Sequence, residues 1–193
     1  MKLILASQSP RRRELLAQLG YQFDCLTADI DETVHFNEQP SVYVDRLARE
    51  KATYIAQQVA EPSTLVLGSD TTVVFNDKIL GKPKDINKCI EMLSLLSNHK
   101  HQVYTSVAVA QQNKIDSVVV CTDVYFKKLT QQEIERYWQT GEPQDKAGAY
   151  GIQGIGGQFV TKIQGSYSSV VGLPLYETAQ LLAQFGLPTS IQA

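Results

Sequence analysis

Leu3-Ile4-Leu5-Ala6-Ser7-Gln8-Ser9-Pro10-Arg11-Arg12-Arg13 opens on four apolar residues, breaks at a short polar turn and restarts on a proline followed by three arginines. The apolar run reads as a buried strand, Ser9 and Pro10 as the N-cap and first-turn residues of a helix, and Gly20 as its stop. A strand feeding directly into a helix points to an α/β chain. The helix start also carries chemistry. Its free N–H groups and the positive end of its dipole favour an anion. Three arginines there oppose the dipole and one another, at about a few tenths of a kcal/mol each when exposed, and a bound anion reverses that cost. A solvated basic helix end is equally compatible with these residues, and the glycine spacing of a P-loop or dinucleotide fingerprint is missing.

Outward from this stretch, strand character recurs at residues 65–67, 72–75, 103–110, 118–126 and 159–163. Helical periodicity predicts helices over residues 10–19, 42–59, 86–96, 131–139 and 174–185. Thr130 and Glu133 form a capping-box signature, with Gly141 as the stop. Asn76-Asp77 and the stretch from Gln111 to Lys114 read as hairpin turns. Hairpins intermixed with strand-helix units predict a mixed twisted sheet flanked by helices rather than a purely parallel one. A chain of 193 residues that is 43% hydrophobic, without repeats or a charged linker, is expected to form a single domain over 1–193. A cleft between two lobes of it would suit a ligand.

The charge balance excludes some partners. Lys and Arg number 18 against 20 Asp and Glu, a net charge of −2, which lacks the basic excess of a general nucleic-acid binder. No stable nucleic-acid complex is expected. The apolar opening from Leu3 to Ala6 is too short for a signal peptide core or a membrane span, so no membrane association and a cytoplasmic location are expected. Cys25, Cys89 and Cys121 are odd in number and widely spaced, as reduced thiols would be.

Four further segments bear polar groups at unusual positions. In the predicted helix 42–59, Val44, Leu47, Ala48, Ala52, Ile55, Ala56 and Val59 mark the inward stripe, and Lys51 falls inside it. An inward ammonium either snorkels out, forms a structural ion pair or meets an anionic ligand. Gly68-Ser69-Asp70-Thr71 interrupts an apolar β run and predicts Asp70 at a strand end, where it serves a turn, binds a metal or accepts a proton from water. Lys82 in Gly81-Lys82-Pro83 follows the hairpin, as a surface turn or a second cation near the same sheet. Asp29-Ile30-Asp31-Glu32 offers hard oxygens to Mg²⁺, although acidic loops are often merely solvated. Asp145 to Gly157 holds five of the 12 glycines interleaved with Tyr150 and Ile152, which suggests a folded loop against a ligand. Gln153 in it offers a donor and an acceptor, to a base edge or to the loop itself.

Taken together, these blocks resemble the Maf family of nucleoside triphosphate pyrophosphatases. LASQSPRR at Leu5 to Arg12, RLAREKA at Arg46 to Ala52, GSDT at Gly68 to Thr71, GKP at Gly81 to Pro83, DKAGAYGIQG at Asp145 to Gly154 and GSYSSVVGLPLYET at Gly165 to Thr178 appear in family order. Gln8 and Ser69 stand where the family commonly has Gly and Ala. The resemblance implies an inosine-triphosphatase-like (Maf/Ham1) fold and metal-assisted hydrolysis to the monophosphate and pyrophosphate, using Mg²⁺ or Mn²⁺. Its AYGIQG form implies the branch acting on dTTP and UTP, with CTP and modified pyrimidine nucleotides as further substrates. Carried over residue by residue, it implies Asp70 as proton acceptor, Ser7, Arg12, Lys51 and Lys82 on the phosphates, Glu32 on the metal, and Arg11, Thr71 and Gln153 for base selection. It also implies a homodimer and a role in nucleotide-pool cleaning or cell-division arrest. The competing expectation is a nucleotide-binding regulator of division without significant turnover.

Overall fold

Strand β1 (Leu3–Ala6) runs into helix α1 (Pro10–Gln18) as its residues dictate. Ser9 accepts the Arg12 N–H across the cap, Pro10 fills the first turn, and Gly20, with φ of 80°, closes the end. The computed structural model describes residues 1–59 and 61–192. The other strands are β2 (Asp24–Leu26), β3 (Leu65–Phe75), β4 (Lys78–Leu80), β5 (Lys100–Gln111), β6 (Lys114–Phe126) and β7 (Val160–Gln164). The other α-helices are α2 (Pro40–Gln58), α3 (Ile86–Leu96), α4 (Gln131–Gln139), α5 (Tyr167–Val171) and α6 (Leu175–Gln184).

The seven strands form one mixed sheet in the order β2-β1-β3-β5-β6-β7, with β4 paired to β3. β1 lies parallel to both β2 and β3, whereas β3 with β4 and β6 with β7 are antiparallel. The hairpin turn at Asn76-Asp77 forms as expected, both residues lying at positive φ, 49° and 61°. The capping box of α4 is present in both directions between Thr130 and Glu133. The fold class expected from the sequence, a mixed sheet with flanking helices, is the one observed.

Two local expectations are corrected, and two short elements carried no expectation. Runs 65–67 and 72–75 are one strand of 11 residues, so Asp70 sits in a strand interior and not at a strand end. Its polar tetrad stays extended because remote groups satisfy its side chains. Strand β7 begins at Val160, since 155–159 tightens into a 3₁₀ turn. Strand β2 carries no burial signal, all three residues being exposed, and α5 is only five residues long.

The chain divides into two compact units. Unit 1 comprises Met1–Asp70, Thr105–Val120 and the chain from Gly172 onward; unit 2 comprises Thr71–Tyr104 and Cys121–Val171. In unit 1, Ala48, Ala52 and Ile55 of α2 pack on Ile4, Val66 and Ala108. In unit 2, Leu93 and Leu96 of α3, Ile134 of α4 and Phe126, Tyr150 and Phe159 form the core. All three cysteines are free, Cys89 being buried. Among the described residues, no helix is long and apolar enough to cross a membrane.

Candidate functional site

Gly68 sets the geometry of the site in unit 1. A Cβ there would lie 2.2 Å from the Ala48 carbonyl oxygen and 2.8 Å from the Ala52 nitrogen, so only glycine lets α2 lie this close on β3. The contact fixes the register between the two elements. One residue before Ala52 and two after Gly68, Lys51 and Asp70 meet, the Lys51 Nζ donating to Asp70 Oδ1 at 2.7 Å. The same ammonium lies 2.7 Å from Glu32 Oε1. Lys51 and Asp70 are 8% and 7% exposed, and of the three alternatives open for Lys51 the structure shows an ion pair.

The pair has an electrostatic consequence. Burial raises the Asp70 carboxyl above its ordinary value, and the opposing pull of Lys51 and Arg12 does not overturn that direction. A carboxylate raised in this way stands closer to the pKa of a useful general base. Burial likewise pulls the Arg12 guanidinium below its ordinary value, against the Asp70 and Glu32 charges. An arginine remains charged under such pressure, so an anion beside it would relieve the cost.

The strand-to-helix turn holds Arg12 firmly. Its Nε donates to the Gly172 carbonyl at 2.9 Å and its Nη1 to Ser7 Oγ at 3.3 Å. Ser7 Oγ also accepts the Ser9 N–H at 3.2 Å, and Ser69 Oγ donates to the same Gly172 carbonyl at 3.2 Å. Ser7, Arg12, Glu32, Lys51 and Asp70 all belong to unit 1, where Arg12 bonds Ser7 and Lys51 bridges Glu32 and Asp70. Arg11, half-buried, shares the first turn of α1 with Arg12.

Thr71, Lys82 and Gln153 belong to unit 2. Thr71 follows Asp70 along β3 and is half-buried, while Lys82 and Gln153 are exposed on loops. Those two loops are tied together, since Gly148 N–H donates to the Gly81 carbonyl at 3.0 Å. Of the acidic cluster, Glu32 alone reaches Lys51; the Asp31 carboxylate accepts the Thr33 N–H at 2.9 Å instead.

Sequence reasoning passed over the residues that hold Glu32. The Tyr43 hydroxyl donates to the Glu32 carbonyl at 3.0 Å, and Arg46 Nη2 to the Thr33 carbonyl at 3.0 Å. Arg46 also grips Glu38, whose carboxyl that hydrogen bond lowers to about 2. The signal lay in α2, where Tyr43 and Arg46 share a flank three residues apart. The two contacts that reach the Glu32 segment are to backbone carbonyls of an irregular loop, which leave no pattern in sequence.

The donor set suits a divalent cation. Among the described residues there is no group of three metal-ligating side chains, but two carboxylates, Glu32 and Asp70, converge on one ammonium. Mg²⁺ is commonly held by one or two carboxylates, with water and phosphate oxygens supplying the rest.

A mixed α/β chain with a cation-bearing strand-to-helix turn and a buried acid–ammonium pair is thus the class that fold and site define. The chain belongs to the Maf family, whose model, described as Maf-like protein, matches residues 2–185. It is 60% identical over 193 residues to a dTTP/UTP pyrophosphatase of Colwellia psychrerythraea, covering 98% of this chain and 91% of that protein. It is 56% identical over 185 residues to a dTTP/UTP pyrophosphatase of Vibrio parahaemolyticus, covering 96% and 97%. The Ham1 protein of Staphylococcus aureus overlaps 65% of this chain and 72% of its own at TM-score 0.43 and 12% identity, too slight a likeness to bear on the fold.

Proposed function

We propose that this protein is a nucleoside triphosphate pyrophosphatase that hydrolyses dTTP and UTP to the monophosphate and pyrophosphate. The observation that carries the reading is the buried Lys51–Asp70 pair, with Glu32 on the same ammonium and Arg12 beside Ser7. Membership of the Maf family and relatives so named support the substrate class.

In this reading Ser7, Arg12, Lys51 and Lys82 take the phosphates, Lys51 exchanging its carboxylate partners for phosphate oxygen. Asp70 then accepts a proton from the attacking water as the water oxygen bonds to the α-phosphorus. The bond from the α-phosphorus to the bridging oxygen breaks, and pyrophosphate leaves with the electron pair. Phosphoryl chemistry rests chiefly on positioning and charge stabilisation, so cations and one buried base suffice, with no nucleophilic serine or cysteine. A divalent cation, Mg²⁺ or Mn²⁺, held by Glu32, would supply charge neutralisation along the phosphates. Arg11, Thr71 and Gln153 select the base.

The test is a panel of dTTP, UTP, CTP and purine triphosphates with Mg²⁺ or Mn²⁺, scored for pyrophosphate. Pyrophosphate from the pyrimidine nucleotides is expected, and Asp70→Asn is expected to lower turnover by about 10²–10⁴-fold with nucleotide still bound. Orthophosphate as product would remove the α-phosphorus attack. Nucleotide binding without turnover by the wild type would leave the regulator reading in its place.

A further inference from the structure

The loop that carries Gln153 is held by a carboxylate. Glu142 opens the 3₁₀ turn that follows α4. Its Oε2 accepts the Ile155 N–H at 2.8 Å and its Oε1 the Gly156 N–H at 3.0 Å. The Tyr137 hydroxyl donates to that Oε1 at 2.7 Å and itself accepts the Gly151 N–H at 3.2 Å. One acid–phenol pair therefore pins the loop on both sides of Gln153. The fit is close, because a Cβ on Gly154 would stand 2.3 Å from Glu142 Oε2. Much of the glycine content of this segment serves that approach.

Gln153 is exposed, and its side chain makes no hydrogen bond among the described residues. Its placement is inherited from the backbone, and the backbone is set by Glu142 and Tyr137. Burial raises the Glu142 carboxyl, but the Gly156, Tyr137 and Ile155 hydrogen bonds lower it further, leaving it below its ordinary value and ionised at neutral pH. A carboxylate only accepts, which suits three donors; an amide in its place would turn an NH₂ toward one of them.

We propose that Glu142, acting with Tyr137, is a positioning residue for base selection: it holds the Gly151–Gly157 backbone so that Gln153 meets the pyrimidine edge. The proposal rests on the reading of Gln153 given above. Glu142 works through the loop and leaves the phosphate chemistry to other residues.

The experiment compares wild type, Glu142→Gln and Tyr137→Phe. For each, the melting temperature, the amide exchange of residues 151–156, and the affinities for UTP and ATP analogues with a non-hydrolysable α,β bond are measured. Steady-state kinetics on UTP are added. Glu142→Gln is expected to speed loop exchange, to weaken the UTP analogue about tenfold and to leave the ATP analogue within about twofold. KM for UTP rises with the analogue, and kcat stays within about twofold. Tyr137→Phe, which keeps the ring and the carboxylate, is expected to shift each readout the same way by less. A folded Glu142→Gln with wild-type preference for UTP overturns the proposal, as does an equal loss of both analogues. If the wild type itself shows no preference for UTP, the pyrimidine reading of the site fails, and the selectivity role falls with it.

Discussion

At the scale of single residues, the ones that sequence singles out are those at odds with their surroundings. Lys51 was legible because it breaks an apolar helical stripe, and the structure gives the reason in Asp70 and Glu32. Asp70 was legible as an oddity in a β run but misplaced at a strand end, since its partner lies 19 residues away. Glu142 was not legible at all: its partners are two backbone amides and a phenol, and amides have no letter in the sequence. His101 escaped notice for a similar reason. It is 2% exposed in the core of unit 2, with Nε2 2.8 Å from the Tyr150 hydroxyl and no hydrogen-bond partner at Nδ1 among the described residues. Burial pushes its pKa from 6.5 down to about 4. A base so depressed contributes stability that is complete above pH 6.5 and is lost as pH falls from 6.5 toward 4, on the order of 3 kcal/mol in all. Urea unfolding at a series of pH values is expected to show this acid slope in wild type and a shallower one in His101→Gln. Equal slopes would mean that His101 is not the group responsible.

At the scale of elements, α1, α2, α3 and α4 were readable to within a residue or two, because a side-chain cap marks the start of α1, α3 and α4, and a long apolar stripe marks α2. The short exposed β2 and the five-residue α5 were not, since neither buries a face that could stamp a pattern. The contact of α2 with β3 is the element-level feature on which the site depends, and Gly68 is its single point of failure. Gly68→Ala must force α2 outward, because the added methyl meets backbone at 2.2 Å and no side chain there can rotate away. The expected cost is about 1–3 kcal/mol by denaturant unfolding. A fall in turnover beyond that of a stability-matched variant is also expected, from displacement of Lys51 against Asp70. A Gly68→Ala protein with wild-type stability would show that the close approach is not rigid.

At the scale of the whole molecule, the sheet class was legible from the alternation of hairpins with strand-helix units. Two lobes were expected, but the boundaries of the two units were not legible, because each unit is assembled from separate stretches of the chain and no linker marks the crossing points. That division carries a spectroscopic consequence. The chain has one tryptophan, Trp138, which is packed against the core of unit 2. Its emission therefore reports the melting of unit 2, whereas far-ultraviolet dichroism reports helices and strands of both units. Coincident curves from the two probes are the outcome expected of a single cooperative domain over residues 1–193. Separated curves would assign a melting temperature to each unit, the fluorescent transition belonging to the one that carries Lys82 and Gln153.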